Sequence, residues 1–369
     1  MRAEIAAGRF NASRDRVGVR GATPPLSWAD ALQAMPSGEG HYQLRVTFNR
    51  PAYGGQPLQY KFKIDRPGIG PNEGWEEGRN RIMPLNDTTQ YVSRTFNSSP
   101  EAVPLERAGR IDRIAPIPSK HVPPREVQVW LPPGYEKELT RRYPVLYLHD
   151  GQVMFDAEAS GAEWQVDETA QRLVLAGAIE PLVIVAVANS AARMEEYTPT
   201  STLLSAARTG LPDDRRMGGG IARYAEYLTT ELKPEIDRRY RTRPEAAHTA
   251  VGGSSLGGLA SMWLALHRAD VFGAALVVSP SVWWDDKFIL RDVADMPFAG
   301  KHRPRIWLDI GTLEGYSALP EARQLHDALL RRGWDRESLS YLEQADGTHD
   351  EASWALRVEG MLRFLHGRK

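Results

Sequence analysis

Residues 250–260 read Ala-Val-Gly-Gly-Ser-Ser-Leu-Gly-Gly-Leu-Ala and contain Gly253-x-Ser255-x-Gly257. A serine with glycine two places to either side fits a sharp strand-to-helix turn that holds the serine oxygen above a sheet edge. The glycines supply the room, because hydrogen at Cα lets strand and helix pass closely. Such a turn makes Ser255 a candidate nucleophile and points the Leu256 amide at the oxyanion of an attacked carbonyl. The flanks fit: residues 248–252 read as a short buried strand, and Leu259, Met262, Trp263 and Leu266 recur at helical spacing.

A serine nucleophile needs a base, and the base needs an acid to orient it and stabilise its cation. Among nine histidines, His349 follows the last strand candidate, in Asp346-Gly-Thr-His-Asp-Glu351. The acid is expected in the loop after Ile306-Trp-Leu-Asp-Ile310, where Glu314 stands just past the strand end; Asp309, within the strand, is the alternative. The order Ser255, acid, His349 is one known chain order for such a triad. In Tyr147-Leu-His-Asp-Gly-Gln152 the chain turns at Asp150-Gly151, so the Gly151 and Gln152 amides are candidates to share the oxyanion with Leu256. Trp283 and Trp284, with Phe155 and Trp164, are candidates for the walls of a substrate pocket. The pairs His149-Asp150, His349-Asp350 and Asp285-Asp286 lack a helix-spaced ligand set, so neither metal nor organic cofactor is expected.

These loops need a scaffold. Short apolar runs at 126–131, 145–148, 182–188, 250–252, 274–278, 305–310 and 339–342 alternate with helical stretches at 163–176, 219–237, 318–331 and 351–366. That alternation predicts an α/β fold with a mainly parallel sheet covered on both faces, its reactive loops after the strand C-termini. Ahead of it, residues 1–96 read as a smaller all-β sandwich. Tyr42–Phe48 and Leu58–Ile64 alternate between Gly and Pro clusters, and a short helix is expected near 28–35. Residues 97–125 read as a proline-rich linker leading into a catalytic domain over 126–369.

The 369 residues carry a net charge of -1 and no cysteine, which excludes disulfides and thiol chemistry and argues against nucleic-acid or membrane-surface partners. No apolar run is long enough to span a membrane. The N-terminus lacks the apolar core of a signal peptide. The expected compartment is the cytoplasm, or the periplasm or exterior if a signal peptide was removed.

Two resemblances add to this. Val17-Gly-Val-Arg-Gly-Ala-Thr-Pro-Pro-Leu-Ser-Trp28, Tyr60-Lys-Phe62 and Trp75-Glu-Glu-Gly-Arg-Asn-Arg81 resemble a starch-binding-type carbohydrate module over about residues 10–95. The resemblance implies a glucan site at Trp28, Lys61, Trp75 and Asn80; Ser27 departs from its pattern. Residues 143–152, 236–242, 253–259 and 279–284 resemble the broad esterase group of α/β-hydrolases over about 110–366. That group includes enterochelin-esterase-like, feruloyl and acetyl esterases and formylglutathione hydrolase. The resemblance implies a carboxylic ester hydrolase with Ser255 as nucleophile and His349 as base, in a doubly wound α/β-hydrolase fold. A carbohydrate-linked acetyl or feruloyl ester is the expected substrate. The alternatives are an enterochelin-type siderophore ester and a carbohydrate-binding protein with an inactive hydrolase domain.

Overall fold

A computed structural model of the chain describes residues 1–38, 40–48, 58–69, 73–76, 80–83, 96, 109–155, 163–205, 213–297 and 303–367. Two compact units result, Met1–Val103 and Pro104–Lys369. The opening of the expected linker, residues 97–108, lies outside the described residues.

In the first unit, β1 (Arg16–Gly21), β2 (Leu32–Gly38), β3 (His41–Gln43), β4 (Leu58–Asp65) and β5 (Arg81–Met83) form one antiparallel sheet ordered β3-β2-β1-β4-β5. The helix expected near 28–35 is replaced by β2, whose Ala34 pairs with Val17 of β1 and packs in the small core. Beyond Gln43 the expected strand does not pair, yet its alternation holds: Leu44, Val46 and Phe48 lie against the buried side chains of the sheet. One sheet face is thus apolar, through Val17, Val19, Leu58, Tyr60 and Ile64. The intervening positions of β1 and β4 are Arg16, Gly18, Arg20, Gln59, Lys61, Lys63 and Asp65.

The second unit is built on a mixed eight-stranded sheet, in the order β15-β14-β13-β12-β8-β9-β7-β6. Its strands are β6 (Arg110–Ile114), β7 (Val127–Leu131), β8 (Val145–Leu148), β9 (Val183–Val187), β12 (Thr249–Ser254), β13 (Ala274–Val278), β14 (Arg305–Gly311) and β15 (Leu339–Gln344). From β15 to β9 every pairing is parallel, while β7 and β6 are antiparallel. Strand β6 falls within the stretch read as linker. A hairpin of β10 (Ser201–Leu204) and β11 (Arg215–Gly218), which the apolar pattern does not announce, stands apart from the sheet.

Side chains alternate between two cores, one on each face of the sheet. From β8, Val145 and Tyr147 enter one cluster and Leu146 and Leu148 the other. The first also takes residues of the helices Ile221–Glu226, Lys233–Arg239, Leu256–His267 and Ala318–Arg331. The second takes residues of Val166–Leu175 and Val358–His366. Each fully buried aliphatic side chain contributes about 1.5–3 kcal/mol, so these clusters are the main stabilisation of the platform.

Two helices differ from the periodic reading. The stretch 219–237 is helical, but Tyr227–Leu232 widens into a π-helical turn between α-helical segments. The stretch 351–366 breaks into Glu351–Ala355 and Val358–His366, with Arg357 at the N-cap of the second.

Candidate active site

Ser255 stands between β12 and the helix Leu256–His267 with φ 58 and ψ −120, a backbone conformation that side-chain-bearing residues rarely adopt. Its N–H donates to the Val278 carbonyl at 3.1 Å, and its own carbonyl accepts from Ser281 N–H at 3.0 Å. The strained turn is thereby fixed to β13 and the loop after it. The elbow glycines are small for more than the strand–helix crossing. A Cβ at Gly253 would lie 3.1 Å from the Gly257 carbonyl carbon and from His149, and one at Gly257 would lie 3.3 Å from His149 and from Asp150. His149 is wedged beneath the elbow. Ser255 Oγ lies 3.3 Å from Ser281 Oγ.

On one side of the elbow, His349 Nδ1 lies 2.8 Å from Glu314 Oε2. With Nδ1–H donating to that carboxylate, Nε2 keeps its lone pair for a proton. The His349 side chain is 44% exposed and that of Glu314 fully buried, so the imidazole is open to a ligand while the carboxylate is not. The imidazole also stands edge-on to Trp354, with centroids 5.1 Å apart. Asp350, next in sequence, caps the following helix by accepting from Ser353 N–H at 2.9 Å.

Glu314 is one end of a buried polar network. Its Oε1 accepts from Ser279 Oγ at 2.6 Å, from Gly311 N–H at 2.7 Å and from Arg357 at 3.2 Å. Arg357 also donates to Asp309 at 2.5 Å, and all three charged side chains are fully buried. Burial alone would push the Glu314 pKa up, but donors from His349, Ser279 and Gly311 and the Arg357 charge outweigh it and hold the carboxyl below its ordinary value. Asp309 goes the other way: burial raises it despite Arg357 and the Trp307 indole N–H, 2.6 Å away. Of the two candidate acids, Glu314 is the one bonded to His349, and Asp309 is held by Arg357 and Trp307.

On the other side lie Gly151 and Gln152. Asp150 turns the chain through the left-handed region, φ 55, into a short 3-10 turn over Gly151–Val153. A Cβ at Gly151 would lie 2.5 Å from the Ala186 and Val187 backbone, so only glycine lets this turn sit on β9. Asp150 is gripped by Arg193 at 2.7 and 2.8 Å and by Asn189 at 2.6 Å. The Gln152 side chain accepts from Asn189 N–H at 3.2 Å. Leu256 opens its helix, where the first N–H groups lack intrahelical acceptors.

The pocket candidates separate by burial. Trp284 is fully buried, its indole N–H donating to the Thr200 carbonyl at 3.0 Å, and Phe155 and Trp164 lie inside the second core. These three are packing residues, because a side chain enclosed by the core has no free face. Trp283 is half-buried. In the first unit, the Trp28 and Trp75 rings lie 6.3 Å apart. The lysine over Trp75 is Lys63, at 5.1 Å, together with Arg20 at 5.4 Å. Lys61 pairs with Arg20 across β1 and β4, and Asn80 directly precedes β5.

Sequence reasoning missed Arg357, Ser279, Trp354 and Arg193. Each bonds a partner far along the chain, Trp354 by donating its indole N–H to Ser279 Oγ at 2.9 Å, and the one signal available was the Ser279-Pro-Ser281 turn after β13. Among the described residues, no group of three or more His, Asp and Glu is placed to hold a metal.

The comparisons with known proteins fit this architecture. The Esterase family profile matches residues 123–365. The chain is 25% identical over 256 residues to the iron(III) salmochelin esterase of Escherichia coli O6:H1, covering 66% of this chain and 54% of that protein. It is 28% identical over 249 residues to an endo-1,4-beta-xylanase/feruloyl esterase of Xylanibacter ruminicola, covering 64% of this chain and 28% of that one. The solved enterobactin esterase FES of Shigella flexneri superposes with a TM-score of 0.56 at 18% identity, over 96% of this chain and 88% of that one. The larger unit has the α/β-hydrolase fold, and the chain belongs to the Esterase family and is a carboxylic ester hydrolase.

Proposed function

We propose that the chain hydrolyses its ester through Ser255, His349 and Glu314. His349 takes the proton of Ser255, whose oxygen attacks the ester carbonyl. The Leu256 amide and that of Gly151 or Gln152 hold the oxyanion, each worth about 3–4 kcal/mol. His349 returns the proton to the leaving alcohol, then activates the water that releases the acyl group. Glu314 keeps the imidazole in the productive tautomer. The observation that carries this reading is Ser255 itself, in a strained positive-φ conformation at a strand–helix junction. Ser255→Ala is expected to lower kcat on a short-chain nitrophenyl ester by at least about a thousandfold. A variant as fast as wild type would overturn the mechanism.

For the substrate, a bulky siderophore-type ester is the reading favoured by architecture: the likeness to the enterobactin esterase runs over both units of this chain. A saccharide ester is the second reading, favoured by the Trp28–Trp75 pair. Comparing a tri-catecholate lactone with a feruloylated oligosaccharide separates them, and Trp75→Ala is expected to lower kcat/KM only for the sugar ester if the second holds.

A further inference from the structure

The parallel sheet has two edges. Ser255 and Glu314 lie past the C-terminal ends of β12 and β14. At the opposite edge, around the N-terminal ends of the same strands, is a cavity of about 430 Å³. Arg305 opens β14, His248 directly precedes β12, and Arg141 and Glu180 precede β8 and β9. Arg243 and His366 complete its polar side chains, beside Ala247, Leu365 and Gly367.

Three guanidiniums and two imidazoles thus meet one carboxylate. Arg243 pairs with Glu180 at 2.8 Å, and Arg141 with Glu138 at 3.0 Å. Arg305 has no carboxylate partner among the described residues; it donates to the Phe364 and Leu365 carbonyls at the end of the last helix. His366 Nε2 and Arg243 Nε are buried and have no hydrogen-bond partner among the described residues. The positive character is felt locally. Burial first, then the charges of Arg305, Arg243 and His248, push the His366 pKa down to about 3.

We propose that this cavity binds a small oxyanion, a phosphate- or carboxylate-bearing molecule, at the sheet edge opposite the nucleophile. Guanidinium forks match the paired oxygens of either group, and a bound anion offsets the charge of Arg305, which meets only backbone carbonyls.

The test is a titration of the full-length Ser255→Ala protein with inorganic phosphate and, separately, citrate, at constant ionic strength, read by histidine C–H resonances. Saturable shifts of His248 and His366, with His267 and His326 unmoved, are expected. Response to phosphate alone or to citrate alone assigns the anion class. Arg243→Gln should weaken binding by about tenfold or more, as loss of a charge-assisted contact does. Shifts that never saturate, or equal affinity in a folded Arg243→Gln, would overturn the site. If Arg243→Gln fails to fold, His248→Gln takes its place under the same criterion.

Discussion

Two His-Asp dipeptides stand at the C-terminal edge of the sheet, and they have opposite fates. His149-Asp150 directly follows β8 and His349-Asp350 follows β15. His149 is fully enclosed beneath the elbow, with Nδ1 3.0 Å from the Tyr224 hydroxyl and rings of Tyr197 and Tyr224 against it. Burial drives its pKa down to about 4, the Asp150 charge countering only in part. His349 is half-exposed and faces a buried carboxylate. Neither neighbouring aspartate serves its histidine: Asp150 goes to Arg193 and Asp350 caps a helix. The same dipeptide is a wedge in one place and a candidate base in the other, because solvent access and a partner 35 residues distant in the chain decide the role.

The sharpest way to break this contrast is to remove each imidazole. His349→Gln is expected to cost at least about a thousandfold in kcat, and His149→Gln less than about tenfold. Equal losses would erase the distinction. Next come the acids. Glu314→Gln should lower kcat by about 10²–10⁴-fold through loss of the tautomer-setting contact, whereas Asp309→Asn should leave steady-state rates within about tenfold. Arg357→Met probes what keeps the acid side charged. It strands two buried carboxylates and should lower unfolding free energy by about 3–5 kcal/mol in a urea titration.

The smallest effect is in pH. A histidine whose folded pKa lies below its unfolded value of 6.5 takes up a proton more readily when unfolded. The resulting stability is complete above pH 6.5 and falls as pH drops toward 4. His149→Gln should remove roughly 3 kcal/mol of that loss across the window, read by chemical denaturation at pH 7 and pH 4. An unchanged pH slope would mean that His149 is hydrated rather than enclosed.

Much of the second unit was legible because its signals are local. The strand runs, the elbow and the acid and base loops all declare themselves within about ten residues. The Glu314–His349 pair followed from chain order and loop position, and the structure brings these two side chains together. What was not legible depends on distant partners. Arg357 reads as one more cation on an amphipathic helix until Asp309 and Glu314 are placed beside it. Trp284 reads as a pocket wall until Gly218, with φ 93 and no room for a Cβ against that indole, shows how closely the hairpin covers it. The π-helical turn carries no pattern separate from an α-helix. In the first unit, Leu32 and Ala34 follow a strand period too short to outweigh the helical reading of their neighbours.

The position of Arg357 in the chain bears on biosynthesis. The cation that neutralises Glu314 and Asp309, and His349 itself, leave the ribosome after the serine turn and after most side chains of both cores. A chain halted at residue 348 would hold the serine turn and a burial site for two uncompensated carboxylates, but lack the candidate base His349. On the proposed mechanism, hydrolysis must await residues 349–357, and ester turnover by ribosome-released fragments would report whether the helix Val358–His366 has docked.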